Sequence, residues 1–508
     1  MKKNKKRKTR VQNKNNFLII ITILITISIF LVCFFYLNKK DKEKIQEEKN
    51  FIGSYLSANQ AANWIDYLYE EKNIVISPFN VNSTLSYIYN VTDNNSYKEI
   101  KKIIKSNPKD QNTIMNSKIS SLSEDNKKNE HSKFYEALIN QFFELKYNEL
   151  TTNDISLLND TEKLQILELV TKIKFSYDLI NDNTNHTEKS IKNYKLTKEE
   201  INYNNYVIKS RIDTVLDNYE SYINVNEVKN YHKLYYDANK ISKPINEETT
   251  TILKDIYNVE LSKVDYNLPE EVISLVNNDI KLFSKDAIKR VVDFNIIGNA
   301  NLLSINSLYF NYKWETPFKN QNNVESFYNY KDDVNMVQMM YSIENVYLEN
   351  KYAHGFIKNF ENNKYSFIGI MPKKSNNDFK LSSLDIDSLL QNRKEEQILI
   401  GIPEFDYQSS NELIKLFSKI GINEIATNKA NLSKLSSSDI YLSTITQKLS
   451  IQISEKGTIN KTINMLDIEP FGIDTQEKQL IFNRPFCYLI INNETNDILL
   501  IGKVIEFN

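Results

Sequence analysis

Asn306-Ser-Leu-Tyr-Phe310-Asn-Tyr-Lys-Trp314-Glu-Thr-Pro317-Phe318 is the stretch that decides the fold of this 508-residue chain. It begins inside a strand-like run, Leu302–Phe310, and carries Trp314, an aromatic suited to core packing. Downstream, Val334–Met340, Tyr365–Met371, Gln397–Ile402, Ile440–Ile445, Lys448–Ile453, Phe486–Ile491 and Ile498–Ile505 read as further strands. Helical pieces at Glu270–Phe283 and Glu412–Ile420 interrupt them. Strands mixed irregularly with helices indicate an α+β fold and not a βαβ parallel sheet. Upstream, Ala61, Ala62, Ile65, Leu68 and Tyr69 recur at helical spacing. Asn73-Ile-Val-Ile-Ser77-Pro78 is a brief apolar run stopped by proline, with a helical stretch after it to about Tyr89. Residues 92–230 are polar and rich in Asn, Lys and Tyr, and Leu164, Leu167, Val170, Ile173 and Phe175 mark an amphipathic helix there. That region reads as a solvated helical elaboration, or as a partner-docking surface.

Composition bounds the function. The net charge is -1, and Gly and Pro number only 9 each, so collagen-like and Pro-rich disordered classes are excluded. Residues 1–16 hold eight basic side chains and no acid, which leaves -1 - 8 = -9 for the rest. A mildly acidic body argues against nucleic acid as a partner. Cys33 and Cys487 lie too far apart in character and position to form a disulfide framework or a zinc cluster. A surface protein without disulfides suits a bacterium.

Phe17–Leu37, FLIIITILITISIFLVCFFYL, runs 21 residues without a charge, enough to cross a bilayer. The basic cluster before it places the N-terminus in the cytoplasm and the body outside. The alternative is a cleaved signal peptide, against which stand the length of the run and the lack of an A-x-A site. The expected organisation is a cytoplasmic tail (1–16), a transmembrane helix (17–37), a charged spacer (38–56) and one domain over 57–508.

Catalytic signatures are missing. There is no GxxxxGK[ST], GxGxxG, HExxH or GxSxG. His131, His186, His232 and His354 do not have metal-ligand spacing, and each reads as a surface residue. No catalytic residue, metal or cofactor is expected.

The opening stretch closely resembles the serpin motif N-A-x-Y-F-K-G-x-W-x-x-P-F. Other segments resemble serpin motifs in the family's order: Asn73–Pro78, Val264-Asp265-Tyr266 with Val276-Asn277, Val337–Met340, Pro403-Glu404-Phe405, Lys419–Ile422, Glu455–Thr458, Phe482–Phe486 and Ile498–Val504. Together they cover about 55–92 and 235–508, so 92–235 holds an inserted helical region. The resemblance implies three sheets, a shell of helices and an exposed reactive-centre loop, here 455–482. In inhibitory members a serine protease attacks that loop. The cleaved loop then enters the main sheet as a strand and deforms the attached protease.

By that resemblance the hinge is Glu455, Gly457, Thr458, Asn460 and Thr462. Gly457 supplies backbone freedom, and Thr458 suits sheet entry. With period 2, an inward Thr458 also turns Asn460, Thr462 and Asn464 inward. Inhibitory serpins usually carry small residues there. Two buried amides without partners would oppose insertion by roughly 2–6 kcal/mol. The family's spacing puts the reactive bond at Phe471–Gly472, within Phe471–Asp474. Ser77 and Asn306 match hydrogen-bonding positions beneath the opening sheet. Asn80 and Gln447 stand where the family has Ser and His, and their amides are able to bond each other. Trp314 matches the aromatic where the loop enters. Two functions follow as expectations: a membrane-tethered monomer that inhibits an extracellular chymotrypsin- or subtilisin-like protease, or a non-inhibitory serpin used as a surface binding module.

Overall fold

The computed structural model describes residues 57–507, apart from 124–129, 148–149, 182–194, 202–203, 224–225, 238, 298–300, 375–378 and 459–477. The strands in chain order are β1 (Ile74–Ile76), β2 (Glu227–Asp237), β3 (Val259–Val264), β4 (Leu302–Asn311), β5 (Lys319–Tyr328), β6 (Val334–Glu349) and β7 (Ala353–Asn359). They continue as β8 (Tyr365–Pro372), β9 (Arg393–Pro403), β10 (Phe405–Glu412), β11 (Leu442–Ile453), β12 (Gln479–Ile481), β13 (Phe486–Asn492) and β14 (Ile498–Val504). β10-β11-β4-β2-β3 form one sheet. The rest form the order β1-β14-β13-β8-β7-β6-β9-β12, with β5 also on β6. The α+β expectation holds, with two sheets among the described residues where three were expected, because β6 pairs with β7 as well as with β5 and β9 and so joins the strands on either side of it into one continuous path.

β4 is buried along its whole length, as a central strand must be. Its partner on one side is β2, antiparallel from Glu227–Asn311 to Tyr236–Leu302. On the other side is β11, parallel from Leu442–Leu302 to Gln447–Asn306. Aromatic and aliphatic residues of both sheets share one core, including Leu308, Phe310, Tyr312, Trp314, Phe360, Phe367, Leu449, Ile451 and Tyr488.

The helix Pro78–Val91 begins sharply because Ser77 caps it and Pro78 needs no amide donor at its first position. Nearly every residue in it is buried, so it is a core helix, packed against β4 of the five-stranded sheet and β14 of the other.

The span 92–235 divides. Glu227–Asp237 is a central strand of the five-stranded sheet. Glu130–Glu144, Asp160–Asn181 and Asn205–Ile223 are helices with a core of their own, built on Tyr135, Phe142, Ile166, Val170, Ile173, Ile212 and Tyr222. The segment Phe17–Leu37 lies outside the described residues, among which no helix is long and apolar enough to cross a membrane.

Candidate functional site: the hinge and the slot beside it

β4 and β11 diverge. Their pairing ends at Asn306–Gln447. Beyond it, β4 continues to Asn311 on β2, and β11 continues to Ile453 on β10. Past the last rung, the Ser307 hydroxyl donates to the Lys448 carbonyl at 2.8 Å. Two parallel strands that part in this way leave a slot for a strand antiparallel to both.

The hinge starts to fill that slot. After β11 the chain reverses at Ser454–Gly457, where Ser454 N–H donates to Gly457 O at 2.9 Å and Gly457 N–H to Ser454 O at 3.2 Å. Gly457 makes antiparallel bridges to Ser454 at the end of β11 and to Lys313 just past β4. Its φ of 141° favours glycine, and a Cβ there would stand 2.1 Å from Tyr312 O. Thr458 is buried; its N–H donates to Tyr312 O at 3.0 Å, and its Oγ1 accepts from Tyr312 N–H at 2.8 Å. Thr458 therefore points inward.

Trp314 fixes the turn from the β4 side. Its backbone N–H donates to Lys456 O at 3.1 Å, and its indole N–H donates to Ser454 O at 2.9 Å. Phe318 N–H donates to Glu455 O at 2.9 Å. The indole stacks on Phe360 at 4.4 Å and 10°. The ammonium of Lys358 sits 5.7 Å above it, paired with Glu344 at 2.7 Å. Sequence reasoning missed this pair, because neither residue is near the hinge in sequence.

The helix Pro78–Val91 floors the slot and is tied to both of its edges. Towards β11, Ser77 N–H donates to Gln447 Oε1 at 2.8 Å, and Gln447 Nε2 donates to Ser77 O at 3.1 Å. Towards β4, the Tyr87 hydroxyl lies 2.6 Å from Ser304 Oγ and donates to Asn306 Oδ1 at 3.3 Å. The expected Asn80–Gln447 bond is absent, because Gln447 spends both halves of its amide on the Ser77 backbone. Asn80 is fully buried, and neither its Nδ2 nor its Oδ1 has a partner among the described residues.

His232 corrects the expectation of a surface histidine. It is buried on β2 opposite Asn306, and Nδ1 lies 2.6 Å from Asn306 Oδ1. Since that oxygen only accepts, Nδ1 carries the proton. Burial pushes the imidazole pKa down to about 4, against the bond to Asn306. The signal in the sequence was the alternation of Tyr231, Lys233 and Tyr235 around it, hidden by its polar neighbours.

At the loop's other end, β12 pairs with β9, and Phe482 N–H donates to Gly401 O at 2.7 Å. The loop is thus held at Thr458 and at Gln479. Asn460, Thr462, Asn464, Phe471 and Gly472 lie outside the described residues.

The five-stranded sheet thus parts beyond the Asn306–Gln447 pair, and the turn at Gly457 lies between the ends of the two strands. The Serpin (serine protease inhibitor) family model matches residues 179–507, and the chain belongs to the serpin family. A serpin-like protein of Methanosarcina mazei is 26% identical over 61% of this chain and 75% of its own. Neuroserpin of Mus musculus is 25% identical over 52% of this chain and 68% of its own. Among solved structures, the native thermophilic serpin tengpin superposes with a TM-score of 0.59 at 18% identity, over 88% of this chain and 93% of that one. Protease nexin-1 with heparin gives 0.61 at 16% identity, over 91% and 99%.

Proposed function

We propose that the chain is an inhibitory serpin, tethered outside the cell by Phe17–Leu37 and acting on a chymotrypsin- or subtilisin-like serine protease. The observation that carries this reading is Gly457, which already bridges the ends of β11 and β4 as the first rung of a strand between them. The protease serine attacks the carbonyl of Phe471. The Phe471–Gly472 bond breaks, the new amine leaves with a proton from the protease, and Phe471 stays on the serine as an ester. Cleavage frees the hinge side from its anchor at β12. The segment from Thr458 then enters the slot, antiparallel to both edges, and draws the attached protease along the sheet. The serpin is consumed and does not turn over.

The test is incubation with chymotrypsin-like and subtilisin-like proteases, followed by denaturing gels and a melting curve. An SDS-stable complex and a raised melting temperature after cleavage are expected. Clean cleavage near Phe471 with no complex, against every protease tried, overturns the inhibitory reading. The second reading, a surface binding module, is favoured by the helical region, where Leu157 is 84% exposed and Tyr206 74% exposed.

A further inference from the structure

The helix Asn94–Ile104 presents a basic face that nothing described above uses. Its inward side is Ser96, Ile100 and Ile104, spaced four residues apart and buried. Its outward side carries Lys98, Lys101, Lys102 and Lys105, all exposed. Cations in the last turn suit the negative end of the helix dipole, which accounts for Lys101 and Lys102 but not for Lys98. A lysine face of this kind is ordinarily just solvated. Here a second segment, residues 423–434, packs beside it. Asp93 N–H donates to Asn431 O at 3.0 Å, and Asn431 N–H donates to Ser96 Oγ at 3.2 Å. The Glu99 carboxylate accepts from the N–H groups of Asn423 and Glu424 at 2.8 and 3.0 Å.

A groove of about 510 Å³ results, lined by Asn95, Lys98, Glu99, Lys101, Lys102 and Glu424. That is room for a small organic molecule. A further cation comes from the segment. Lys434 stands 4.5 Å from the centre of the Tyr97 ring, and Lys101 stands 5.4 Å from it. Tyr97 is itself fixed, stacked on Tyr89 at 4.5 Å with the two hydroxyls 2.7 Å apart. Both carboxylates of the lining face other donors: Glu99 holds amides of the segment, and Glu424 lies 3.5 Å from Ser96 Oγ. Among the described residues, Lys98, Lys101, Lys102 and Lys434 form no ion pair. Four ammonium groups against two carboxylates leave the groove at +2, on a chain whose residues beyond 16 carry -9.

We propose that this groove binds a small compound carrying two or more adjacent phosphate groups. An exposed lysine gains little from a single anion, so several must be engaged together. Lysines three and four residues apart on a helix are neighbours, which matches anionic groups a few Å apart. The lining holds no arginine, the side chain whose planar fork suits a carboxylate. Ammonium groups act as point charges and take phosphate oxygens from any side. The Asn95 amide adds a donor. Glu99 and Glu424 repel an anion, and their bonds to the segment and to Ser96 turn them from the lysines. A ligand that touches the helix lysines and Lys434 together also ties the segment to the helix and stabilises the folded chain by mass action. The inference is independent of strand insertion.

The experiment titrates the full-length chain with sodium tripolyphosphate in a calorimeter and follows the melting temperature, with orthophosphate as the single-anion probe. One saturable site is expected, about tenfold or more tighter for tripolyphosphate than for orthophosphate, with a melting temperature raised by about a few degrees. The affinity should fall as sodium chloride rises from about 50 to about 300 mM. The double variant Lys98→Gln with Lys102→Gln should bind about tenfold more weakly or worse. A control, Lys172→Gln with Lys174→Gln on the helix Asp160–Asn181, removes the same charge elsewhere and should bind as the natural chain does. The absence of a saturable site overturns the proposal. So does equal affinity for the two phosphates, or an equal loss in both double variants.

Discussion

At the scale of single residues, His232 makes the fold sensitive to acid. Its neighbours are Asn306 on β4 and Tyr87, whose ring meets it edge-on at 5.5 Å from the floor helix. Protonation would put a charge and an Nε2–H donor where Nε2 has no partner among the described residues. The pKa is about 4 in the folded chain and 6.5 ordinarily. The unfolded state therefore binds the proton first, and the stabilisation present above pH 6.5 is lost as pH falls towards 4. The loss at pH 4.5 relative to pH 7 is about 2–3 kcal/mol. Urea unfolding of the natural chain and of His232→Gln at the two pH values checks this. The variant should lose that much less, and equal losses would exclude His232 as the source. The resemblance singled out Gly457, Thr458, Trp314, Ser77, Asn306 and Gln447, and in the fold they lie around the end of the β4–β11 pairing. Their bonds were less legible. Gln447 bonds to backbone atoms of Ser77, which no inventory of side chains can foresee, and this is what strands the amide of Asn80.

At the scale of elements, the helical region is joined to the sheet by charge buried at the top of β2. Glu227 pairs with Lys285 at 3.0 Å, both nearly inaccessible, and with Lys229 at 3.1 Å. The Lys285 ammonium also lies 4.2 Å from the Tyr222 ring at the end of the last helix of that region. Burial lowers the Lys285 pKa, and Glu227 opposes that shift. Removing the carboxylate leaves an ammonium in a poorly solvating site. Glu227→Leu should therefore destabilise by about 3 kcal/mol, and adding Lys285→Met should restore most of it, because an apolar pair of similar volume replaces an ionic one at little net cost. Thermal melts of the single and double variants measure the coupling, and additive losses would count against it. β2 itself was not legible. Glu227-Val-Lys-Asn-Tyr-His-Lys-Leu-Tyr-Tyr-Asp237 looks like surface, yet it buries Glu227, Asn230, His232 and Asp237, each polar. Binary patterning fails where a sheet faces a polar floor and an ionic joint. β11 was read as two runs, Ile440–Ile445 and Lys448–Ile453, because Gln447 interrupts the apolar pattern at the one position that reaches the floor.

At the scale of the molecule, the insertion proposed above would have a definite end. Counting on in the register of Gly457, eleven residues reach Ile468 and eleven back from Lys313 reach Leu302, the first residue of β4, once the direct β4–β11 pairs from Leu302 to Asn306 have opened. Glu469, Pro470 and Phe471 then extend about 10 Å beyond the sheet at roughly 3.3 Å per residue. The protease held on Phe471 would be drawn the length of β4 and pressed against the far end of the body, with only three residues of slack. On that reading, short slack would convert strand insertion into force on the captured enzyme. Deleting Asp467 and Ile468 tests this without changing which faces point inward, since an even deletion preserves the alternation. The shortened loop would leave Phe471 one residue beyond the last rung at full insertion, in place of three. Cleavage should proceed at the natural kcat/KM, because the bond and its flanking residues are retained. The fraction of encounters ending in a stable complex should rise, because the shorter tether applies more force. A change in that fraction of less than about twofold would mean that the tether's length does not govern trapping.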